Sequence, residues 1–401
     1  MSKLVNTYNR KYAIYLVVIC LLVCANAHTQ TKRDTQMMTL PELLINDNGK
    51  KITNSKQWQT ERRAQILTLF ENNLYGQLPK DMDSIRFNVK KQDNRAMNGK
   101  AKLKEIVIDV YRNNQSVSIQ VFLFLPLAAK KPVPVFLLIN HRGKENTDTS
   151  RTIKSEFWPV ESVIEHGYAI AAFHVSDVAN DHKDTYNQGV LRLYPEQTHM
   201  PNGMKTIGAW AWGAMRVMDY FEKDKDIDAS KVAVLGHSRG GKAALWAGAQ
   251  DKRFSIVISN DSGEGGAALS QHLVGETIKD INTNFPHWFC DNYKKFNDNI
   301  HSLPMDQHML LALIAPRLVY VASASEDKWA DPVGEFLSMK YAEPVFKLFS
   351  LAPLPAQQQP PVNTPVKSRN MGYHLRKGIH NLVLYDWERF MDFASQSFKK
   401  D

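Results

Sequence analysis

The chain has 401 residues, of which 43% are hydrophobic and 23% charged, a balance that excludes a disordered, collagenous or purely repetitive protein. Its formal net charge is +9, but the 50 Lys and Arg residues are interspersed with 41 Asp and Glu residues and form no basic block. We therefore expect no nucleic-acid binding, and motifs have to indicate the function.

The first 27 residues have the features of a secretory signal peptide. Three basic residues, Lys3, Arg10 and Lys11, precede an apolar run over residues 12–24, and Ala-Asn-Ala follows at residues 25–27. The apolar run is shorter than the about 20 residues that a membrane helix needs. We predict that residues 1–27 direct export to the periplasm or the medium.

The cysteines bear on both anchoring and redox chemistry. Lipid attachment at Cys20 or Cys24, or an N-terminal membrane anchor, is the alternative to cleavage. Val23 is larger than the residue that a lipoprotein signal prefers before its cysteine, which favours cleavage after Ala27. Export leaves Cys290 as the one remaining cysteine, so we expect neither an internal disulfide nor a metal site.

Strand-like and helix-like stretches alternate along the rest of the chain. The predicted strands are Ile106–Tyr111, Ser118–Leu125, Val133–Ile139, Tyr168–Phe173, Lys231–Leu235, Phe254–Ser259, Arg317–Ala322 and Met371–Leu375. The predicted helices between the later strands are Thr152–Glu165, Met204–Glu222, Lys242–Gln250, Gly334–Phe349 and Asp386–Phe398. The first two strands alternate like antiparallel strands, whereas later ones are apolar on both faces. The alternation predicts an α/β fold with a mostly parallel, doubly wound sheet of about eight strands and helices on both faces.

We divide the exported chain into an N-terminal segment, residues 28–104, packed outside a catalytic domain, residues 105–401. A helix over Trp58–Glu71 lies in the N-terminal segment. The Pro- and Gln-rich stretch Ala352–Asn370 is predicted to be an exposed loop, because the strand and helix that follow it complete the sheet.

A nucleophile motif lies between a predicted strand and a predicted helix. The sequence Gly-His-Ser-Arg-Gly at residues 236–240 follows strand Lys231–Leu235, which is the context of a nucleophile elbow. A turn that exposes Ser238 crowds the residues two before and two after it, and both are glycine. We predict that Ser238 is the nucleophile of an α/β-hydrolase fold, in which the acid and then the base follow the serine along the chain.

A serine hydroxyl needs a base to become a nucleophile at neutral pH. His380 lies between the last strand and the last helix, where this fold carries its base, and we predict that role for it. His374 is the competing residue, but it falls within a predicted strand, where a packed structural histidine is the simpler interpretation.

Two aspartates compete for the acid that orients the base. Asp261 follows the sixth strand and Asp327 follows the seventh, and both loops lie at the carboxyl edge of the sheet. Glu264 is a third carboxylate nearby, whereas Asp331, just before Pro332, is typical of a helix start.

The oxyanion hole is expected to use the backbone N–H of Arg239 and a donor from the loop that begins Asn140-His141-Arg142-Gly143. The Arg239 guanidinium could also face the developing oxyanion. The alternative is that it pairs with an acid on the rim of the site.

Taken together, seven segments resemble the bacterial branch of the glucuronoyl esterases, carbohydrate esterase family 15. They are Gly236–Lys242, Asp251–Phe254, Ser262–Ala267, Gly275-Glu276, Phe285–Phe289, the stretch from Asp306-Gln307-His308 to Ala315-Pro316-Arg317, and Asp327–Pro332. The similarity extends from about Trp58 to the end of the chain.

This resemblance implies hydrolysis of esters of 4-O-methyl-glucuronic acid, such as the linkage proposed between lignin and glucuronoxylan. We predict an exported serine esterase that uses no cofactor or metal. The resemblance also implies that Ser238 is the nucleophile, His380 the base and Arg239 an oxyanion contributor. The positions that match the sugar-binding residues of the family are Lys242, Glu276 and Trp329.

The sequence departs from the family at two places. Fungal members have a Glu as acid where this chain has Asp261, which is one methylene shorter, so Asp327 gains weight as the acid. The loop over residues 140–144 matches poorly and leaves the second oxyanion donor unassigned. An acetyl-xylan or other carbohydrate esterase is the alternative enzyme, and a glycan-binding pseudoenzyme the alternative without catalysis. We make no prediction of an oligomeric state.

Overall fold

The computed structural model describes residues 38–398. The predicted signal peptide and the anchoring alternatives at Cys20 and Cys24 therefore lie outside the described residues. Within this range no helix is both long and apolar enough to cross a membrane.

Ten strands form one sheet, in the order β1-β2-β3-β5-β4-β6-β7-β8-β10-β9. Their bounds are Ser84–Arg95 (β1), Ala101–Arg112 (β2), Gln115–Pro126 (β3), Val133–Asn140 (β4), Ala169–His174 (β5), Ile227–His237 (β6), Ile256–Asn260 (β7), Leu318–Ala324 (β8), Val366–Lys367 (β9) and Met371–Arg376 (β10). The pairs β1-β2, β2-β3, β3-β5 and β10-β9 are antiparallel. All other pairs are parallel. The predicted antiparallel start and parallel centre are confirmed, as is the α/β-hydrolase fold.

Eight strands were predicted and all eight are present, but the predicted strand count was too low by two. β1 is an edge strand whose residues are mostly exposed and include five charged side chains, Arg86, Lys90, Lys91, Asp93 and Arg95. It therefore lacks the apolar pattern by which buried strands are recognised. The two-residue strand β9, Val366–Lys367, falls inside the stretch predicted to be a loop. The predicted domain boundary between residues 104 and 105 lies within β2, and the described residues from Leu40 to Phe398 belong to one compact unit.

Helices cover both faces of the sheet. Their bounds are Ser55–Gln57 (α1), a π-helical segment Trp58–Arg62, Arg63–Asn73 (α2), Ala96–Gly99 (α3), Val160–Glu165 (α4), Thr206–Phe221 (α5), Arg239–Gln250 (α6), Ile278–Asn284 (α7), Gln307–Ala312 (α8), Pro332–Leu348 (α9) and Leu384–Phe398 (α10). The predicted helix Thr152–Glu165 shortens to α4 because Pro159 disfavours helical backbone at the residue before it.

Central strands bury both of their faces, which explains their nearly continuous apolar sequence. In β4, Val135 and Leu137 pack into one hydrophobic core, whereas Phe136 and Leu138 pack into a second core on the opposite face. Burying apolar area on both sides stabilises the centre of the sheet by about 25 cal/mol for each Å² removed from water. The sheet is thus a rigid support for the loops at its edge.

The carboxyl ends of four neighbouring strands meet at one edge. His237 of β6 lies opposite Asn260 of β7, Asn260 lies opposite Ala322 of β8, and Ala322 lies opposite His374 of β10. The loops that follow these four strands are therefore adjacent, and every predicted residue of the catalytic triad lies on one of them.

Candidate active site

The turn between β6 and α6 has the geometry of a nucleophile elbow. Ser238 has φ 54° and ψ −127°, an unfavourable conformation for a non-glycine residue. A Cβ on Gly236 would lie 2.1 Å from the carbonyl oxygen of Gly240, and a Cβ on Gly240 would lie 2.9 Å from that of Ile139. Side chains at these two positions would therefore collide with backbone, as the sequence pattern predicts.

His380 and Asp327 form a hydrogen-bonded pair beside this turn. The Nδ1 of His380 donates to the Oδ2 of Asp327 over 2.5 Å. The His380 ring centroid lies 4.4 Å from that of His237, the residue before Ser238. Asp327 is buried and also accepts from the backbone N–H of Ala330, whereas the His380 side chain is 42% exposed. This arrangement leaves Nε2 of His380 available to accept a proton.

Asp261 lies next to this pair without a hydrogen bond to it. One possible ligand atom from each of Asp261, Asp327 and His380 lies within 4.8 Å of the other two, close enough for the three groups to hold a metal ion. Asp261 is buried; its Oδ2 lies 3.3 Å from Nη2 of Arg376, and its Oδ1 has no hydrogen-bond partner among residues 38–398. Burial, and then the negative charge of Glu335, raise the pKa of Asp261 well above its ordinary value.

The competing histidine has a different environment. His374 is fully buried in β10, where its Nε2 lies 2.8 Å from Oδ1 of Asp386 and its Nδ1 lies 3.0 Å from the hydroxyl of Tyr320. Both ring nitrogens are satisfied inside the core, so His374 has no free atom for a reaction.

The two remaining carboxylates also have structural contacts. Glu264 is buried and accepts from Ser270 and Tyr293, and burial raises its pKa to about 7. Asp331 caps the N-terminus of α9 by accepting from the backbone N–H of Gly334. The expectation that Asp331 starts a helix is confirmed.

Arg239 pairs with an acid that the sequence analysis did not identify. Its Nη1 donates to Oδ2 of Asp181 over 2.5 Å, and its guanidinium lies over the ring of Trp288 at 4.6 Å. Asp181 also accepts from Nε1 of Trp288 at 2.7 Å and contacts Nε2 of His287 at 3.0 Å. Burial alone raises the pKa of Asp181, but the His287 hydrogen bond and the Arg239 charge outweigh it and hold the pKa well below its ordinary value. The Nε of Arg239 has no partner in the described part of the chain.

Lys242, Glu276 and Trp329 are linked by contacts with one another. Lys242 is buried, and its Nζ donates to the carbonyl oxygens of Ser262, at 2.6 Å, and Glu264. The same Nζ lies 3.9 Å from Oε2 of Glu276, whose backbone N–H donates to the carbonyl of Trp329. Burial lowers the pKa of Lys242. Trp329 is 55% exposed, so its indole face is open to a ligand.

The loop after β4 provides structural contacts and no assigned oxyanion donor. The backbone N–H of Arg142 is used by Oδ1 of Asn140. The Arg142 guanidinium bonds to Asn381 at 2.6 Å and contacts Nε2 of His237 at 3.2 Å. Burial, with the charge of Arg239, lowers the pKa of His141 to about 3. This loop therefore braces the residues beside Ser238 and His380.

A model of the fungal glucuronyl esterases matches residues 108–350 of the chain. The chain is also 42% identical over 386 residues to Carbohydrate esterase MZ0003 from an unknown prokaryotic organism, with 89% of each chain covered. The protein belongs to the glucuronoyl esterases, carbohydrate esterase family 15. This protein is therefore a carboxylic ester hydrolase, and the predicted family is confirmed.

Two further relatives agree with this membership. The glucuronoyl esterase of Solibacter usitatus superposes with a TM-score of 0.83 at 39% identity, covering 89% of this chain and 97% of that one. The 4-O-methyl-glucuronoyl methylesterase 1 of Phanerochaete chrysosporium is 27% identical over 331 residues, which are 78% of this chain and 62% of that protein.

Proposed function

We propose that this glucuronoyl esterase hydrolyses esters of 4-O-methyl-glucuronic acid, including those that join lignin to glucuronoxylan. The observation that carries this proposal is the 2.5 Å hydrogen bond between His380 and Asp327, at the strand ends beside the Ser238 elbow. Such bulky polymeric esters lie outside cells, which agrees with the predicted export by residues 1–27. This geometry supports the proposed roles of Ser238 as nucleophile, His380 as base and Asp327 as acid.

Ser238 attacks the ester carbonyl carbon while Nε2 of His380 takes the hydroxyl proton. Asp327 accepts from Nδ1 of His380, holds the ring in the required tautomer and stabilises the positive charge that develops on it. The backbone N–H of Arg239 and its guanidinium face the oxyanion. His380 returns the proton to the leaving alcohol, and then activates the water that releases the acid from Ser238.

Lys242, Glu276 and Trp329 bind the glucuronoyl ring in this proposal. Two of the three Lys242 ammonium protons are used by backbone carbonyls, which leaves the third for a sugar hydroxyl beside Glu276, whose Oε2 lies 3.9 Å from Nζ. The exposed Trp329 indole offers a flat apolar face to the pyranose. The ring that these residues hold is the acyl part of the ester.

Truncation of the sugar site should separate two ester classes. We expect Lys242→Ala and Glu276→Ala each to lower kcat/KM on benzyl glucuronate by roughly five- to 150-fold, because each removes one hydrogen bond to the sugar, which is worth about 1–3 kcal/mol. Hydrolysis of p-nitrophenyl acetate, whose acyl group is too small to reach them, should hardly change. Steady-state kinetics with both substrates measures the difference.

Lys279→Ala is the matched control, because Lys279 is an exposed lysine near Glu276 that pairs with Asp298. Equal losses on both substrates would indicate a general structural defect. No loss on benzyl glucuronate would mean that these residues do not form the sugar site. Activity on acetylated xylan with none on benzyl glucuronate would favour the acetyl esterase instead.

Asp181 should matter through Arg239. Asp181→Asn keeps an oxygen for Trp288 but removes the negative charge that Arg239 faces. We expect kcat/KM on benzyl glucuronate to fall about ten- to 150-fold. A hydrogen bond between charged groups contributes about 1.5–3 kcal/mol, which corresponds to a loss of that size. In an Arg239→Ala background the same substitution should have little further effect, and a double-mutant cycle measures this.

The control for Asp181 is Asp184→Asn, since Asp184 is an exposed acid in the same loop that pairs with Lys183. Additive losses from Asp181→Asn and Arg239→Ala would contradict a shared role in the oxyanion hole.

A further inference from the structure

Arg376, the last residue of β10, is a buried cation between two acids at the carboxyl edge of the sheet. It is 4% exposed. Its Nε donates to Oδ2 of Asp386 over 3.0 Å, and its Nη2 lies 3.3 Å from Oδ2 of Asp261. Asp386 is itself held in the first turn of α10, where it accepts from the backbone N–H of Val383. The guanidinium is thus held by carboxylates that belong to two different elements.

The same guanidinium also holds the loop that carries His380. Nη2 of Arg376 donates to the backbone carbonyl of Ile379 at 2.9 Å and to that of Asn381 at 2.5 Å. These two residues are the chain neighbours of His380 on either side. Gly378 has φ 121°, and a Cβ there would lie 2.9 Å from Nη1 of Arg376, so the close approach requires glycine. Arg376 therefore fixes the backbone on both sides of the base.

The His380 side chain needs such support. Its ring is 42% exposed and, in the part of the chain described here, has one hydrogen bond, to Asp327. Two other contacts hold the same loop at points outside His380 itself. The backbone N–H of Glu326 donates to the carbonyl of Gly378 at 2.9 Å, and Arg142 donates to the Asn381 side chain. None of these contacts reaches the carbonyls on both sides of His380.

We propose that Arg376 is a positioning residue that holds His380 in register with Ser238 by binding the carbonyls of Ile379 and Asn381. This inference rests on the proposed role of His380 as the base. Arg376 touches no reacting atom, and its effect passes through the His380 backbone. A lysine retains the charge between Asp261 and Asp386, but a single ammonium on a flexible stem does not reproduce the planar fork that spans acids and carbonyls.

Arg376→Lys tests this role. We expect kcat on benzyl glucuronate to fall at least about tenfold and up to about 100-fold, because a misplacement of about 1 Å in a reacting group has a cost of that order. KM should change less than about threefold, since the sugar site is formed by other residues. The control is Arg63→Lys: Arg63 is also a buried arginine, and it donates to the backbone carbonyls of Leu313 and Ala249. Its kcat should remain near that of the unmodified enzyme.

Two further measurements distinguish positioning from a general loss of stability. Proton NMR of the unmodified enzyme should show a low-field resonance from the His380 Nδ1–H bonded to Asp327, and it should broaden or vanish in Arg376→Lys but persist in Arg63→Lys. The midpoint temperature of thermal unfolding should be lowered to a similar extent in both variants. Unchanged low-field resonance, or a kcat loss no larger than that of Arg63→Lys, would overturn the proposal.

A substrate-independent probe separates this inference from the proposed function. Diethyl p-nitrophenyl phosphate should phosphorylate Ser238 and release one p-nitrophenolate per enzyme, and this reaction also needs the base. We expect Arg376→Lys to slow that release at least about tenfold, whether or not glucuronate esters are hydrolysed. Labelling of Arg376→Lys at the unmodified rate would overturn the positioning role alone. Failure of the unmodified enzyme to hydrolyse benzyl glucuronate, with normal phosphorylation of Ser238, would overturn the proposed function alone.

Discussion

Replacement of Ser238 by alanine will lower kcat on benzyl glucuronate by about 10⁴-fold or more. Without the hydroxyl no acyl-enzyme forms, and only binding and the oxyanion donors still accelerate attack by water. Alanine retains the Cβ of serine, so the turn at φ 54° gains no new clash and the fold should be preserved. Steady-state kinetics, with thermal unfolding as a check on folding, measures the effect.

A matched variant is Ser230→Ala, which changes an exposed serine on the same strand, β6. Its kcat should stay within about twofold of the unmodified enzyme, as surface substitutions of this kind usually do. Turnover by Ser238→Ala close to normal would contradict the assignment of the nucleophile.

The parts of the fold that could be predicted from the sequence are those in which burial requires apolar residues. Strand β4 is apolar on both faces because both faces lie in hydrophobic cores, and this requirement is visible in the sequence. Strand β1 belongs to the same sheet but lies at an edge in contact with water, where charged side chains are tolerated. Its sequence therefore lacks the apolar pattern that indicates a strand. Sequence patterns report which side chains avoid water, and an exposed strand lacks that signal.

The same distinction applies to the candidate site, where local motifs could be predicted from the sequence and long-range contacts could not. Ser238 and its two flanking glycines form a local motif, because the turn itself demands those residue types. The partner of Arg239 is Asp181, 58 residues away, and the contact of Arg376 with Asp261 spans 115 residues. Such pairs join loops that only the sheet brings together, so no spacing in the sequence points to them. The resemblance to the family likewise indicated Arg239 and left its anchor unnamed.

The choice between the two acids depended on information of this long-range kind. Both aspartates follow neighbouring strands, and chain order alone left the two open. In the structure Asp327 accepts the Nδ1 hydrogen bond of His380, whereas Asp261 faces Arg376. The pKa of Asp261 is raised by burial and then by the negative charge of Glu335. Asp261 has no hydrogen bond to His380 among the described residues, so it is placed less well than Asp327 to orient the imidazolium that forms during attack.

Asp327→Asn will therefore cost far more than Asp261→Asn. The amide at residue 327 presents no charge to His380 and favours the wrong tautomer, so kcat should fall on the order of 10³- to 10⁴-fold. Asparagine at residue 261 has the shape of aspartic acid and keeps an oxygen that can face Arg376, so the loss should stay below about tenfold. The double variant should be slower than either, because a carboxylate oxygen of Asp261 lies within 4.8 Å of a ring nitrogen of His380 and can partly replace Asp327 when that residue is lost.

Asp224→Asn, a buried acid paired with Lys104 away from the site, controls for the stability cost of removing a buried carboxylate. Abolished turnover in Asp261→Asn beside a silent Asp327→Asn would reverse the ranking, and would mean that the Asp327 hydrogen bond does not orient the base during catalysis.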